Sequence, residues 1–162
     1  MQNPETLTAS ARNTRLVGFH DLQGRESLQV TLQGDWCYVG HLPGLRPNPL
    51  TGRDEHNGTS ILDVSDPSKP TLVAHIPAAP EANCRAVQVI DNPRDGRRYL
   101  ARNHEAPAAC SFQVFDITHR ERPEMVADVK ETPAGQLGEN VRAPNETTIR
   151  MFRTTEVSAS GR

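Results

Sequence analysis

One segment of this chain occurs twice, and the repeat restricts the fold more than any other feature. The run TSILDVSDPSKPTLVAHI, residues 59–76, returns as FQVFDITHRERPEMVADV, residues 112–129. Three pairs share a constant offset of 53 residues: Asp63 and Asp116, Pro70 and Pro123, and Ala74 and Ala127. A repeat of that length, built from short β-rich runs, is typical of stacked or radially arranged β units.

The first unit divides into four predicted strands. Residues 27–33 (SLQVTLQ) alternate apolar and polar side chains with a period of two, which indicates a half-buried strand. Three further runs rich in β-forming residues follow, at residues 36–41, 59–64 and 71–76. The turn Gly34-Asp35 joins the first two strands, and the long stretch between residues 41 and 59 is predicted to be a loop.

The second unit follows the same plan. Its predicted strands cover residues 86–90, 98–103, 112–117 and 124–129. In this alignment Gln88 takes the place of Gln29, and Tyr99 takes the place of Tyr38. Four antiparallel strands in about 50 residues is the size of one blade of a β-propeller. The sequence therefore predicts an all-β fold of propeller-like, four-stranded antiparallel blades.

The repeat also sets the expected domain boundaries. We expect a partial β-propeller over residues 15–130, with blade one at 27–76 and blade two at 86–129. The run RLVGF resembles the fourth strand of a blade, so residues 15–19 are predicted to be an outer strand of another blade. Residues 1–14 and 131–162 are predicted to be disordered, because their apolar residues are too scattered to bury much surface.

Two blades are too few to close a propeller, which needs about four to eight. We therefore expect an incomplete ring, and two explanations stay open. The chain is either the truncated or frame-shifted end of a longer propeller, or a short form that assembles with other copies. The prediction therefore includes the association of this chain with other copies of itself through open blade edges.

The two copies of the repeat resemble the LVIVD-repeat family of β-propellers. TSILDVSDPSKPTLVAHI matches the strand and the D-V-S-D-P-type turn of that family well, and FQVFDITHRERPEMVADV matches more loosely. The resemblance covers residues 15–129. It implies the propeller fold, but it implies no activity, since the family shares no common chemistry and a fold does not determine a function.

Bulk composition excludes several classes of partner. Eighteen basic and twenty acidic residues give a net charge of -2, so no nucleic-acid partner or anionic membrane surface is expected. No apolar run approaches the roughly 18 residues of a membrane span. The N-terminal residues lack the apolar segment of a secretory signal, and the three cysteines lack CxxC spacing. A reduced, cytoplasmic protein is therefore the expectation.

Strand order places the longest loops on one end of the blades, and these loops collect histidine, arginine and carboxylate side chains. The residues expected to bind a ligand there are Arg25, Glu26, His41, Arg85, His104 and Glu105. Those that could hold a divalent metal are His20, His41, His104 and Cys84. Arg25 and Arg85 precede the two inner strands, so they could hold an anionic group together.

The pattern leaves two classes of function open. A non-catalytic binding scaffold for a protein or small-molecule ligand fits the repeat and the lack of a GxSxG, P-loop or GxGxxG motif. The alternative is a metal-dependent hydrolase or lyase that uses the histidines of the loop-rich end. No two of those histidines have a tight ligand spacing such as HxxxH, and long surface loops gather such residues by exposure alone. The scaffold is the preferred prediction.

Overall fold

The computed structural model describes residues 13–107 and 109–130, and of residue 109 the backbone only. The described residues form ten strands: β1 (Ser27–Gln33), β2 (Trp36–His41), β3 (Leu45–Asn48), β4 (Arg53–His56), β5 (Gly58–Asp63), β6 (Thr71–Pro77), β7 (Val87–Asp91), β8 (Arg98–Ala106), β9 (Ala109–Asp116) and β10 (Glu124–Lys130). One short 3-10 turn, Leu22–Gly24, precedes them. No helix in these described ranges is long and apolar enough to cross a membrane.

The strands form two sheets of the predicted kind. Blade one has the order β1-β2-β5-β6, blade two has the order β7-β8-β9-β10, and β3 pairs with β4 as a separate hairpin. All pairings between neighbouring strands are antiparallel. The predicted all-β fold of four-stranded, propeller-like blades in an incomplete ring is confirmed.

Two local predictions were wrong. Residues 15–19 are not a β-strand, because no sheet edge among the described residues pairs with them, and Leu16 and Phe19 are 82% and 75% exposed. The stretch between β2 and β5 is not all loop, because it contains the hairpin β3–β4. The segments predicted to be disordered, 1–14 and 131–162, lie outside the described residues except for residues 13 and 14.

Strand pairing corrects the alignment of the two units. Trp36 pairs with Asp63, whereas Tyr99 pairs with Asp116, the repeat partner of Asp63. Tyr99 therefore occupies the place of Trp36 and not that of Tyr38. The error is two residues, which leaves each side chain on the predicted face of the sheet because a strand has a period of two.

The first strands need the same correction. In blade one Thr31 pairs with Tyr38, which pairs with Ile61. The corresponding row of blade two is Gln88, Ala101 and Val114. Gln88 therefore takes the place of Thr31 and not that of Gln29. The two units differ in loop length on either side of β2 and β8, so a single sequence offset cannot align every strand.

The hydrophobic core lies between the two blades. Blade one contributes Tyr38, Ile61, Ala74 and Ile76, and blade two contributes Val87, Leu100, Phe115 and Ile117. We call the packed face of blade one its trailing face and the packed face of blade two its leading face. Each blade has a leading face and a trailing face, since the two blades have the same strand order. The core buries the trailing face of blade one and the leading face of blade two.

A buried arginine joins the blades across this core. Arg102 on β8 donates from Nη1 to the Ile76 carbonyl at 2.8 Å and from Nη2 to the Pro77 carbonyl at 2.9 Å. Its Nε donates to Gln113 Oε1 at 3.0 Å, and its guanidinium lies 4.8 Å from the centre of the Phe115 ring. The last carbonyls of β6 are thereby satisfied by the neighbouring blade.

The inner strands add a second set of contacts. The side chains of Gln29 and Thr31 donate to the Val87 carbonyl at 2.9 and 3.1 Å. Nearby, the segment that links the blades passes directly over Gly40 on β2. A Cβ atom on Gly40 would lie 2.4 Å from the Arg85 carbonyl oxygen and 2.7 Å from that of Cys84. This crossing therefore requires glycine.

Substituting Gly40 with alanine should separate the linker from β2 and destabilise the blade pair. The added methyl meets backbone and not a movable side chain, so the expected loss of unfolding free energy is about 3 kcal/mol. Gly34→Ala is the matched control, since its Cβ meets no atom within 4 Å and costs only the strain of φ +58°, about 1 kcal/mol. Urea unfolding measures both. A Gly40→Ala loss no larger than that of Gly34→Ala would contradict the close crossing.

Candidate functional site

The hairpin β3–β4 is the most prominent feature of the loop-rich end. Its strands pair from Leu45 and His56 at the base to Asn48 and Arg53 at the tip. Asn48 shapes the tip, because its carbonyl accepts from the Gly52 amide at 2.8 Å and its Oδ1 accepts from the Leu50 amide at 3.0 Å. Such Asx geometry is a local device that fixes a turn without a hydrophobic core.

Arg25 clamps this hairpin to blade one. Its Nη1 donates to the Glu55 carbonyl and to Asn57 Oδ1, at 3.1 and 2.6 Å. Its Nη2 donates to the carbonyls of Arg46 and Pro47, at 3.1 and 3.3 Å. Arg25 is 5% exposed, and burial lowers the pKa of its guanidinium. One buried side chain therefore ties both strands of the hairpin to the start of β1.

Two further residues hold the hairpin. Asn57 Nδ2 donates to the Leu42 carbonyl at 2.9 Å, which closes the base. Glu55 accepts from Asn48 Nδ2 at 2.8 Å and from Thr51 Oγ1 at 2.7 Å. Burial opposes the ionised form of Glu55, but these hydrogen bonds outweigh it and lower the pKa of its carboxyl. The hairpin is therefore braced at its base, along its strands and at its tip.

A chain of hydrogen bonds, fully buried between His41 and Ser60 and half-buried at its two ends, runs through blade one next to the hairpin. Ser27 Oγ lies 3.0 Å from His41 Nδ1, and Ser60 Oγ lies 2.8 Å from His41 Nε2. Ser60 Oγ is also 3.2 Å from His75 Nδ1, and His75 Nε2 is 3.0 Å from the His56 carbonyl. All four ring nitrogens of His41 and His75 are thus occupied by protein partners.

Burial keeps both imidazoles neutral. It lowers the pKa of His41 to about 3, with further contributions from the nearby His75 and Arg25. It lowers the pKa of His75 to about 4, although the hydrogen bond to the His56 carbonyl acts in the opposite direction. Neutral rings whose nitrogens bridge serines and a carbonyl act as structural links between β1, β2, β5 and β6.

The other candidate metal ligands are engaged separately. His20 Nδ1 accepts from the Leu22 amide at 3.0 Å, and His104 Nε2 accepts from the Ala79 amide at 3.2 Å. Cys84 is buried, and burial raises the pKa of its thiol. In the part of the chain that the structure describes, no three histidine, cysteine, aspartate or glutamate side chains form a group that could hold a metal ion.

The six candidate ligand-binding residues have separate sets of protein contacts. Arg85 and Glu105 form an exposed ion pair with a separation of 3.7 Å. Glu26 is exposed, and its backbone carbonyl accepts from the Leu42 amide at 3.0 Å. Arg25 donates to four protein acceptors, so its two terminal nitrogens are already engaged within the protein. Arg85 and Glu105 are the candidates that the structure leaves accessible together.

A cleft on the opposite end of blade two was missed by sequence reasoning. It encloses about 360 Å³ and is lined by Arg97, Asp116, Thr118, His119, Arg122 and Glu124. Arg97 Nη1 donates to Asp116 Oδ2 at 3.0 Å across it. The sequence carries one signal for this cleft, the departure of THRERP from the SDPSKP turn of blade one.

The hairpin was also missed, although the run NPLTG contained a turn signal between two short polar segments. Its strands, LRPN and RDEH, carry neither alternation nor β-forming residues. They form because Asn48 fixes the turn and Arg25 fixes the strands, and neither contact is visible in a propensity pattern.

The fold and the repeated strand–turn–strand unit define a repeat scaffold of the propeller type. The family model of the LVIVD repeat matches residues 54–76, which span β5, β6 and the turn between them. The chain therefore carries an LVIVD repeat, and the resemblance to that family is confirmed. No curated protein matches the sequence.

Replacing Arg25 with lysine should release the hairpin while leaving the blades folded. Lysine keeps the charge but cannot reach all four acceptors of Arg25, because it lacks the planar fork of arginine. Hydrogen exchange of the backbone amides in β3 and β4 should therefore accelerate at least tenfold, with little change in β8 and β9. Arg46→Lys is the control, since Arg46 is exposed. Equal protection of the hairpin in both variants would contradict the clamp.

Stability should fall as the pH drops from 6.5 towards 4. The folded pKa values of His41 and His75, about 3 and 4, lie below the usual 6.5. The unfolded chain therefore binds protons first, and each histidine contributes a slope of at most about 1.4 kcal/mol per pH unit. The stability is fully present above pH 6.5 and is lost below it.

Urea unfolding between pH 6.5 and 5 measures this slope above the range in which carboxylates titrate. His75→Gln should reduce the slope, because glutamine cannot take up a proton. A wild-type stability that does not change over this range, or an unchanged slope in His75→Gln, would show that the imidazoles are not held neutral.

Proposed function

We propose that this chain is a non-catalytic binding scaffold that presents the hairpin β3–β4 to a protein partner. The observation that carries the proposal is the clamp of Arg25, which holds a polar, exposed hairpin in one position on a propeller-type scaffold. A rigid binding element loses little conformational entropy on association. Loops held by a β scaffold are the usual location of binding residues in such folds.

The surface of the hairpin supports a protein ligand. Leu45 and Leu50 are 47% and 50% exposed, and Arg53 and Asp54 beside them are exposed as well. Apolar side chains that stand out from a polar surface, within a rim of charges, are typical of small protein interfaces. The partner should offer an apolar pocket for Leu50 and a polar rim around it.

The residues of the loop-rich end fit a structural role better than a catalytic one. The imidazoles of His41 and His75 are neutral, buried and fully hydrogen-bonded, so they are not available to a substrate without disrupting blade one. The cytoplasmic location stays a prediction.

A photo-crosslinking amino acid at position 50 tests the proposal. We expect it to capture one discrete protein in cells, whereas the same group at Lys69, an exposed position in the β5–β6 turn, should not capture that protein. The captured partner is then purified and its affinity measured by calorimetry. Leu50→Asp should weaken binding at least tenfold, as expected for a central apolar anchor.

Lys69→Asp is the control for the affinity measurement, because it introduces the same side chain away from the hairpin. Equal affinities of the Leu50→Asp and Lys69→Asp variants would exclude the hairpin as the binding element. Stoichiometric metal in the purified protein, measured by mass spectrometry, would favour the hydrolase or lyase alternative over a scaffold.

A further inference from the structure

The repeat allows each blade face to be compared with its counterpart in the other blade. The leading face of blade two is covered by blade one, and the trailing face of blade one is covered by blade two. The other two faces have no such neighbour among the described residues. Strand pairing identifies which residues on these open faces correspond to residues of the blade-to-blade core.

The open leading face of blade one carries an apolar stripe. With Thr31 equivalent to Gln88, Val30 corresponds to Val87, and Leu32 corresponds to Val89. Val87 is 0% exposed in the core, whereas Val30 is 62% exposed and Leu32 is 67% exposed. Leu28 extends the stripe and is also 62% exposed. The same strand position is therefore buried in one blade and open in the other.

The open trailing face of blade two offers the complementary surface. Val129 on β10 corresponds to Ile76 and is 41% exposed, whereas Ile76 is 6% exposed. Gln88 corresponds to Thr31, whose side chain donates to the Val87 carbonyl across the existing interface. The trailing face of blade two therefore has a hydrogen-bond donor, Gln88, at the position where Thr31 bonds to the neighbouring blade.

We propose that the trailing face of blade two packs onto the leading face of blade one in a second copy of this chain. In this head-to-tail contact, Val129 covers the stripe of Val30 and Leu32, and Gln88 donates to the Val30 carbonyl of the next copy. A heterologous contact of this kind closes into a ring when its rotation permits. With two blades in each chain, two to four copies would supply the blades of a propeller, which has about four to eight.

The continuity with the existing interface favours a second copy over other occupants. Both partner surfaces are present on the same chain and repeat the geometry of a contact that the chain already makes. Val39 takes the place of Arg102 on the leading face of blade one and is only 3% exposed, so the exposed part of this face is the apolar stripe of β1, which contains no cation.

Light scattering after size exclusion tests the contact. The wild-type chain should have two, three or four times the monomer mass of 17.9 kDa. Val30→Lys, which blocks the leading face, and Val129→Asp, which blocks the trailing face, should each be monomeric. Each variant keeps one intact face, so a mixture of the two should form a 1:1 heterodimer and nothing larger.

Controls separate loss of contact from loss of fold. Cooperative unfolding by circular dichroism checks each variant, and Leu32→Lys replaces Val30→Lys if that variant does not fold. Leu50→Asp on the hairpin should keep the wild-type mass, so failure of the proposed function would not affect this result. A monomeric wild type, an unchanged mass in both blocked variants, or a mixture that stays monomeric would overturn the proposal.

Discussion

The arrangement of the two blades depends on Arg102. Its guanidinium donates to the Ile76 and Pro77 carbonyls at the end of β6, in the neighbouring blade. Burying a charged group is costly unless its hydrogen bonds are complete, and removal of one member leaves the others unpaired. The stacking on Phe115 and the bond to Gln113 meet this condition. The blades therefore cannot slide without exposing unsatisfied groups on both.

Arg25 also donates to several backbone carbonyls at once, in the hairpin β3–β4. Strand ends and hairpin edges leave carbonyl oxygens that no ladder uses, and an arginine fork can reach several of them at once. Arg25 serves the hairpin and Arg102 serves the blade junction, each through carbonyls of segments distant in sequence. With so few large apolar side chains in the chain, these two arginines fix relative positions that hydrophobic packing alone would leave loose.

The sequence predicted the blades because their strands are defined by local periodicity and by an offset of 53 residues. It failed where position depends on contacts over long distances. The hairpin β3–β4 has an amino-acid composition typical of a loop. Arg25, which holds it, was interpreted as an anion ligand because it directly precedes the inner strand of blade one. The predicted alignment of Tyr99 with blade one was wrong by two residues, because the loops of the two blades differ in length. Only the register of the paired strands shows which residues are equivalent.

Two of the candidate histidines, His41 and His104, lie at matching places in the two blades. His41 and His104 occupy equivalent positions, as the pairing that equates Trp36 with Tyr99 requires. In blade one the ring bridges Ser27 and Ser60, and in blade two it accepts from the Ala79 amide. An imidazole at the end of the second strand can reach the polar groups that neighbouring loops leave unpaired. The positions of His41 and His104 at this end of the fold therefore follow from where the second strands of the two blades end.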